Sequence, residues 1–175
     1  MESTPFPLTI RASRAAQEGK RYGPSSVSPD GSTLFLARIG ETTQRDILMV
    51  PLQGSGETLS AGKVTVLLET AAHEIKPMVS PNGKWLAYSV VNSNDGTDGL
   101  YVRPVSGLPA KWQLASGPTM KPILSQTGSR LFFKRLRLPG LQSVEVAEQG
   151  NALLASASKD FGSTPPPFAT SPGNG

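Results

Sequence analysis

One short turn recurs in this sequence, and the recurrence limits the possible folds more than any other feature. Ser28-Pro29-Asp30-Gly31 returns as Ser80-Pro81-Asn82-Gly83, and a reduced copy at 125–128 keeps the outer residues Ser125 and Gly128. Serine suits the first position of a type I turn, proline sets φ at the second, and glycine suits the last. Each copy therefore predicts a hairpin whose three-residue loop ends on a left-handed glycine.

Two further features repeat in register with the turn. An apolar segment with strand character begins 16 residues after the first turn glycine (47–52), 17 after the second (100–105) and 13 after the third (141–146). A proline lies three residues before the second and third turn serines, at Pro77 and Pro122. Three features that recur together indicate a repeating unit of ~45–50 residues rather than three unrelated turns.

The repeating unit has the strand content of a β-propeller blade. Each copy contains one apolar segment before the turn, one after it, the segment described above and an outer segment at 64–68, 111–114 or 152–155. Four short antiparallel strands at this spacing are typical of a propeller blade. The predicted fold class is therefore all-β: a partial β-propeller of about three four-stranded antiparallel blades.

The repeats also set the predicted domain boundaries. The three blades are expected at 21–72, 73–117 and 118–162. Residues 1–20 are expected to form an N-terminal tail or the end of a preceding blade. Residues 163–175 are rich in proline, glycine and serine, which predicts a disordered tail.

The composition of the chain argues against several kinds of functional site and binding partner. The chain of 175 residues has no cysteine, which excludes disulfides, cysteine-ligated zinc and thiol catalysis. Its net charge of +4 is small, and we expect no nucleic-acid partner. No apolar stretch is long enough to cross a bilayer, and the N-terminus has no signal peptide, so we expect no membrane segment. As printed, the chain would stay in the cytoplasm unless a longer protein supplies an upstream segment.

Several short motifs resemble catalytic sites, but each lacks the elements that would have to accompany it. A kinase-like Asp-Phe-Gly within 159–162 has no catalytic loop or glycine-rich loop with it. The stretch 54–64 is one residue too long for a phosphate loop and lacks its Ser/Thr, and the Ser-x-x-Lys at 156–159 lacks its companion motifs. A Ser-His-Asp triad would have to use His73, the one histidine. We therefore predict no catalytic residue and no enzyme activity.

Two charged stretches have the composition of binding sites. The sequence NSNDGTDG at 92–99 is rich in oxygen ligands, but it lacks the closing glutamate of an EF-hand loop, and it predicts a polar hairpin tip. The basic run at 134–140 has no interleaved aromatic residues to stack on bases, and it predicts a solvated loop. We therefore expect no metal and no cofactor.

The repeats resemble those of TolB-type β-propellers. The turn, the proline before it, the aromatic strand at 85–88 and the sequence YVRPVSG at 101–107 carry this resemblance. It is closest to the propellers attached C-terminally to bacterial serine/threonine protein kinases, and it extends over roughly residues 20–160. That family usually has six blades, and three repeats cannot close a ring. The resemblance therefore implies that missing blades or a second copy of the chain complete the propeller.

The resemblance also implies a function. We expect a non-catalytic scaffold for protein or ligand binding, like the sensory propeller of a bacterial receptor-type kinase or like TolB, in a periplasmic or extracytoplasmic location. The alternative is the propeller portion of a prolyl-oligopeptidase-like serine peptidase whose catalytic domain is absent. Both tryptophans, Trp85 and Trp112, are expected to pack within blades. The ligand and partner stay open, and the binding candidates by position start the innermost strands: His73, Glu74, Thr119 and Lys121.

Overall fold

In the residues that it describes, the structure, a computed structural model, consists of β-strands and turns with a short 3-10 turn at Gly56–Thr58. It describes residues 22–40, 44–107, 109–136, 138–150 and 152–161, without the side chains of Glu57, Lys121 and Phe161. Both predicted tails, 1–20 and 163–175, lie outside these ranges. No helix in the described ranges is long and apolar enough to cross a membrane.

Three blades follow one another along the chain. The first contains β1 (Tyr22–Val27), β2 (Thr33–Ile39), β3 (Arg45–Gln53), β4 (Ser60–Ala61) and β5 (Thr65–Leu68). The second contains β6 (His73–Val79), β7 (Trp85–Val91), β8 (Gly99–Pro104) and β9 (Trp112–Ser116). The third contains β10 (Thr119–Leu124), β11 (Arg130–Arg135), β12 (Leu141–Gln149), β13 (Ala152–Ala155) and β14 (Lys159–Phe161).

Within each blade the first three strands pair antiparallel in chain order, and the strands that follow pair antiparallel with the third. A single parallel bridge between Arg45 of β3 and His73 of β6 joins the first two blades into one nine-stranded sheet, and the third blade is a separate five-stranded sheet. Neither sheet closes on itself within the described ranges. The prediction of an all-β partial β-propeller is confirmed.

The outer strand is split in the first and third blades. β4 pairs with the end of β3 and β5 with its middle, while β13 and β14 pair with opposite ends of β12. In the second blade, β9 pairs alone with β8. The split therefore adds a strand at Lys159–Phe161, inside the stretch that resembled a kinase motif.

The three repeated turns share one hydrogen-bond pattern. In the second turn, the Gly83 amide donates to the Ser80 carbonyl (2.9 Å), and the Ser80 amide donates to the Trp85 carbonyl (2.8 Å). The Trp85 amide in turn donates to the hydroxyl of Ser80 (3.0 Å), which itself donates to the side chain of Asn82 (2.7 Å). The Ser80 hydroxyl thus takes the place of the Ser80 carbonyl as acceptor of the Trp85 amide. Ser80 and Trp85 therefore form the last pair of the hairpin, and its loop holds four residues, 81–84, one more than predicted.

Strand β7 lies at the centre of the structure, and every one of its residues is buried. Successive side chains point to opposite faces of a strand. Trp85 and Ala87 therefore join the apolar core between the second and third blades, while Leu86, Tyr88 and Val90 join the core between the first and second. The strand is therefore buried on both faces.

Candidate functional site

The residues of the repeated turn form a row in which each turn packs on the next. A Cβ built on Gly83 would lie 3.8 Å from Cδ of Pro29, and one built on Gly128 would lie 3.3 Å from Cδ of Pro81. The same position on Gly31, in the first turn, has no described atom within 4 Å. The proline of one turn thus covers the glycine of the following turn, which gives the motif a role in joining blades.

The innermost strands repeat a second contact between blades. The Val79 amide donates to the hydroxyl of Ser26 (3.2 Å), and the Leu124 amide donates to the sulfur of Met78 at the same distance. Ser26 and Met78 both lie two residues before a turn serine. The equivalent residue of the third blade is Ile123, which is 54% exposed.

The proposed binding candidates at the starts of the innermost strands do not form one surface. Glu74 and Thr119 occupy equivalent positions and are buried, and Thr119 donates a hydrogen bond to the hydroxyl of Ser89 in the neighbouring blade (3.3 Å). His73 is half-buried at the bridge to Arg45, and burial together with that charge lowers its pKa. The side chain of Lys121 lies outside the described part of the chain.

Glu74 lies in the wall of a cleft of about 300 Å³ beside the hairpin tip that joins β7 and β8. The residue is 1% exposed, its Oε1 accepts a short hydrogen bond from the Thr70 hydroxyl, and its Oε2 has no partner among the described residues. Burial raises the pKa of Glu74, and the charge of Asp46 raises it further. Asp46 is itself buried and forms an ion pair with Arg38 (3.0 Å).

Aromatic and charged side chains complete the cleft wall. The rings of Tyr88 and Tyr101 stack with their centroids 5.8 Å apart, and Lys111 Nζ lies 5.3 Å from the centroid of Tyr101. Burial raises the pKa of Tyr88 to about 12. Burial also raises the pKa of Tyr101, and the charges of Asp95 and Asp98 add to this shift. The wall therefore combines apolar faces with charges of both signs.

The hairpin tip at 92–98 is held by its own polar groups. Asp95 accepts hydrogen bonds from the hydroxyl (2.6 Å) and amide (3.1 Å) of Thr97, and these bonds lower the pKa of Asp95. Asp98 accepts from the Ser93 amide (2.7 Å), and the Tyr101 hydroxyl donates to the Thr97 carbonyl (2.7 Å). The oxygens of the tip therefore fix the shape of the cleft rim. The described ranges contain no group of three or more His, Asp or Glu side chains placed to hold a metal.

A second cleft, of about 370 Å³, lies between the second and third blades. Glu148 at its rim accepts hydrogen bonds from Asn82 and from the indole of Trp85 (2.6 Å), and it forms an ion pair with Lys84 (3.3 Å). These bonds, the one from Asn82 foremost, lower the pKa of Glu148. The cleft walls are mainly apolar and include Ala87, Val102, Leu124, Leu131, Val146 and Leu153.

Sequence reasoning missed Glu148 because its partners are more than 60 residues away in the chain. The signal in the sequence is that the third repeat has Glu148 where the other two have Gly54 and Gly107. Those glycines have positive φ and end their strands, whereas β12 continues through Glu148. The ring of Trp85 also meets Trp112 edge-on, with centroids 5.4 Å apart. Both tryptophans thus pack at the blade interface.

The motifs that resemble catalytic or binding sites belong to the strands and turns of the blades. The stretch 54–64 forms the 3-10 turn and β4. The Ser156 hydroxyl accepts from the Glu145 amide (3.0 Å) and donates to the Ala157 carbonyl (3.1 Å). In the basic run, Arg135 donates to the side chain of Gln142 (2.8 Å). Each of these groups has a local structural role.

Comparison with known proteins supports the fold. No family model and no curated protein matches the sequence. Among solved structures, a candidate TolB of Agrobacterium tumefaciens matches with a TM-score of 0.57 at 17% identity, over 80% of this chain and 50% of that one. A candidate 6-phosphogluconolactonase of Bacteroides uniformis matches with a TM-score of 0.56 at 17% identity, over 87% of this chain and 45% of that one.

These two neighbours are informative about architecture alone. At 17% identity the likeness shows a shared fold and carries no activity across. The resemblance to TolB-type propellers is supported at this level, and neither structure bears on the resemblance to kinase-attached propellers. The chain spans about half the length of each neighbour.

Proposed function

We propose that this chain is a non-catalytic propeller scaffold that binds a protein or a small ligand, and that further blades complete its ring. Its role would be that of the interaction propellers of bacterial receptor-type kinases or of TolB. Nothing in the described residues or the structural neighbours favours the peptidase propeller over this role. The motifs of catalytic appearance have the local structural roles described above, which supports a scaffold.

The observation that carries the binding role is the cleft of about 300 Å³ beside the hairpin tip 92–98. Its volume lies at the lower end of the range of small-ligand sites, and such sites combine apolar walls with a few polar groups. Here the stacked pair Tyr88 and Tyr101 supplies the apolar faces, while Asp95 and Lys111 supply charges at the rim. A positively or a negatively charged group of a ligand could therefore pair with a side chain of opposite charge in this cleft.

Ligand-observed NMR on the full chain tests the binding role. The probes are n-butylammonium, butyrate and butan-1-ol, which share one alkyl chain and differ in charge. We expect saturable binding of at least one probe, weakened at least fivefold by Lys111→Ala or Asp95→Asn. Lys134→Ala, on β11 of the third blade, is the control and should change nothing. If no probe saturates, or if the control weakens binding as much as the cleft variants, the cleft is not the binding site.

A further inference from the structure

The first and third blades each have one face that no neighbouring blade covers within the described chain. These two outward faces hold positions equivalent to the residues that meet between neighbouring blades. Within the stack, the residue two positions before a turn serine meets the main chain just before the next turn serine, as Met78 meets Leu124. In the third blade the equivalent position holds Ile123, which is 54% exposed and offers an apolar surface rather than a hydrogen-bond acceptor. In the first blade the position just before the turn serine holds Val27, which is 45% exposed, whereas its equivalent in the second blade, Val79, is 9% exposed.

The repeated turns show the same relationship. Pro81 covers Gly128 within the stack, but the third turn carries Gln126 at the proline position, and this residue is exposed. Gly31, in the first turn, has no described atom within 4 Å where the other turn glycines meet a proline ring. At the repeated turns and just before them, each outward face therefore offers what the other lacks, whereas Leu36, Leu48 and Val50 on the outward face of the first blade already form a buried cluster.

We infer that two copies of this chain close one propeller ring, with the third blade of each copy packed on the first blade of the other. Ile123 of one copy would cover Val27 of the second copy, and Gln126 would fill the space beside Gly31 there. The inference rests on the proposed function, because it names a second copy as the source of the further blades.

Length and symmetry support a pair rather than a longer assembly. The chain spans 50% and 45% of its two structural neighbours, so two copies supply the length of one such propeller. Two sets of three blades give six, within the usual range of ~4–8 for a closed ring. In a two-fold pair each contact occurs twice and leaves no free end, whereas a head-to-tail contact that failed to close would grow into a filament.

Sedimentation of the full chain, combined with thermal unfolding followed by circular dichroism, tests the inference. We expect a species of twice the 18.4 kDa monomer mass, with one cooperative transition whose midpoint rises with protein concentration. Ile123→Asp should shift the mass to that of the monomer. Leu138→Asp places the same charge at a position of similar exposure (48%) in the loop between β11 and β12, at the opposite end of the third blade from the repeated turn, and should leave the pair intact.

Cysteine pairs test the register of the contact, because the natural chain has no cysteine. The variant with both Val27→Cys and Ile123→Cys should form a covalent dimer on mild oxidation, and each single variant should not. The variant with Met78→Cys and Leu124→Cys repeats the same relationship inside one chain, so its disulfide should form within the monomer. A covalent dimer from Ile123→Cys alone would mean that like faces meet, and would overturn the inference.

The remaining outcomes separate this inference from the proposed function. A monomer or an aggregate without a cooperative transition would reject the second copy, while the need for further blades from a longer chain would stand. A monomer with a full cooperative transition would reject both statements about ring closure. Probe binding in the cleft is measured independently of mass, so the binding role can survive either result.

Discussion

The carboxylate of Glu148 in the third blade accepts a 2.6 Å hydrogen bond from the indole of Trp85 in the second. The same carboxylate also accepts from the side chains of Asn82 and Lys84, so it joins the second turn and the strand that follows it to the next blade. The contact closes the rim of the larger cleft. The orientation of the second and third blades therefore depends in part on the ionisation of one carboxyl.

Acid should loosen this contact. The pKa of Glu148 is below its ordinary value of 4.5, chiefly because Asn82 donates to the carboxylate. A group whose folded-state pKa is lowered stabilises the fold above its unfolded pKa and loses that contribution as pH falls through the folded value. In a Trp112→Phe background, the fluorescence of Trp85 should change as pH falls below 4.5, and Glu148→Gln should flatten that change.

The control for this titration is Glu145→Gln. Glu145 lies on the same strand and pairs with Arg130 (2.7 Å), away from both tryptophans, so its replacement should leave the acid response in place. An identical response in the Glu148→Gln and unmodified proteins would show that another group controls the indole environment.

Burial of Glu74 has the opposite consequence for stability. Its pKa is raised, first by burial and then by Asp46, so the folded state binds a proton more tightly than the unfolded state does. The free energy of unfolding should therefore fall as pH rises from about 4.5 through the raised pKa. Glu74→Gln should remove this decline. The free energy of unfolding of the variant should therefore increase relative to that of the natural protein as pH rises. Urea unfolding at intervals from pH 4 to 8 measures the difference, and a constant offset would contradict the assignment.

Replacement of turn glycines should separate backbone strain from packing between turns. Gly31 and Gly128 have φ of 73° and 72°, where a side chain costs about 1–2 kcal/mol. Within its own chain Gly31→Ala meets no described atom, but a Cβ on Gly128 would lie 3.3 Å from Pro81. Gly128→Ala should therefore lower the free energy of unfolding by about 1 kcal/mol more than Gly31→Ala. Equal losses in denaturant unfolding would mean that the turns do not support one another.

The turn serines should differ in importance according to burial. Ser80→Ala removes the acceptor of the Trp85 amide, and both residues are buried. An unpaired buried amide costs about 1–3 kcal/mol. Ser125→Ala removes the equivalent bond to the exposed Arg130, whose amide can turn to water, so the loss should be below about 1 kcal/mol. Unfolding free energies of the two variants provide the comparison, and a larger loss for Ser125→Ala would reverse the assignment.

The turns and the central strand could be predicted because their causes are local. The hydrogen bonds that form the second turn join residues within 80–85, and the apolar run at 85–91 is visible in the sequence. The predicted loop was one residue too short. The Trp85 amide bonds the Ser80 hydroxyl rather than a main-chain carbonyl, and a sequence does not show which of the two acceptors is used. The split outer strands were missed because an edge strand has one neighbour and a weak apolar pattern.

The sequence by itself determined the repeat, the turn chemistry and hence the kind of sheet, because these depend on residues a few positions apart. Tertiary structure alone decided what the polar residues do. Glu74 and Glu148 are one residue type, yet burial raises the pKa of the first and donated hydrogen bonds lower that of the second. Those surroundings come from segments that meet only when blades stack, and free energies of burial and pairing depend on the neighbours in space.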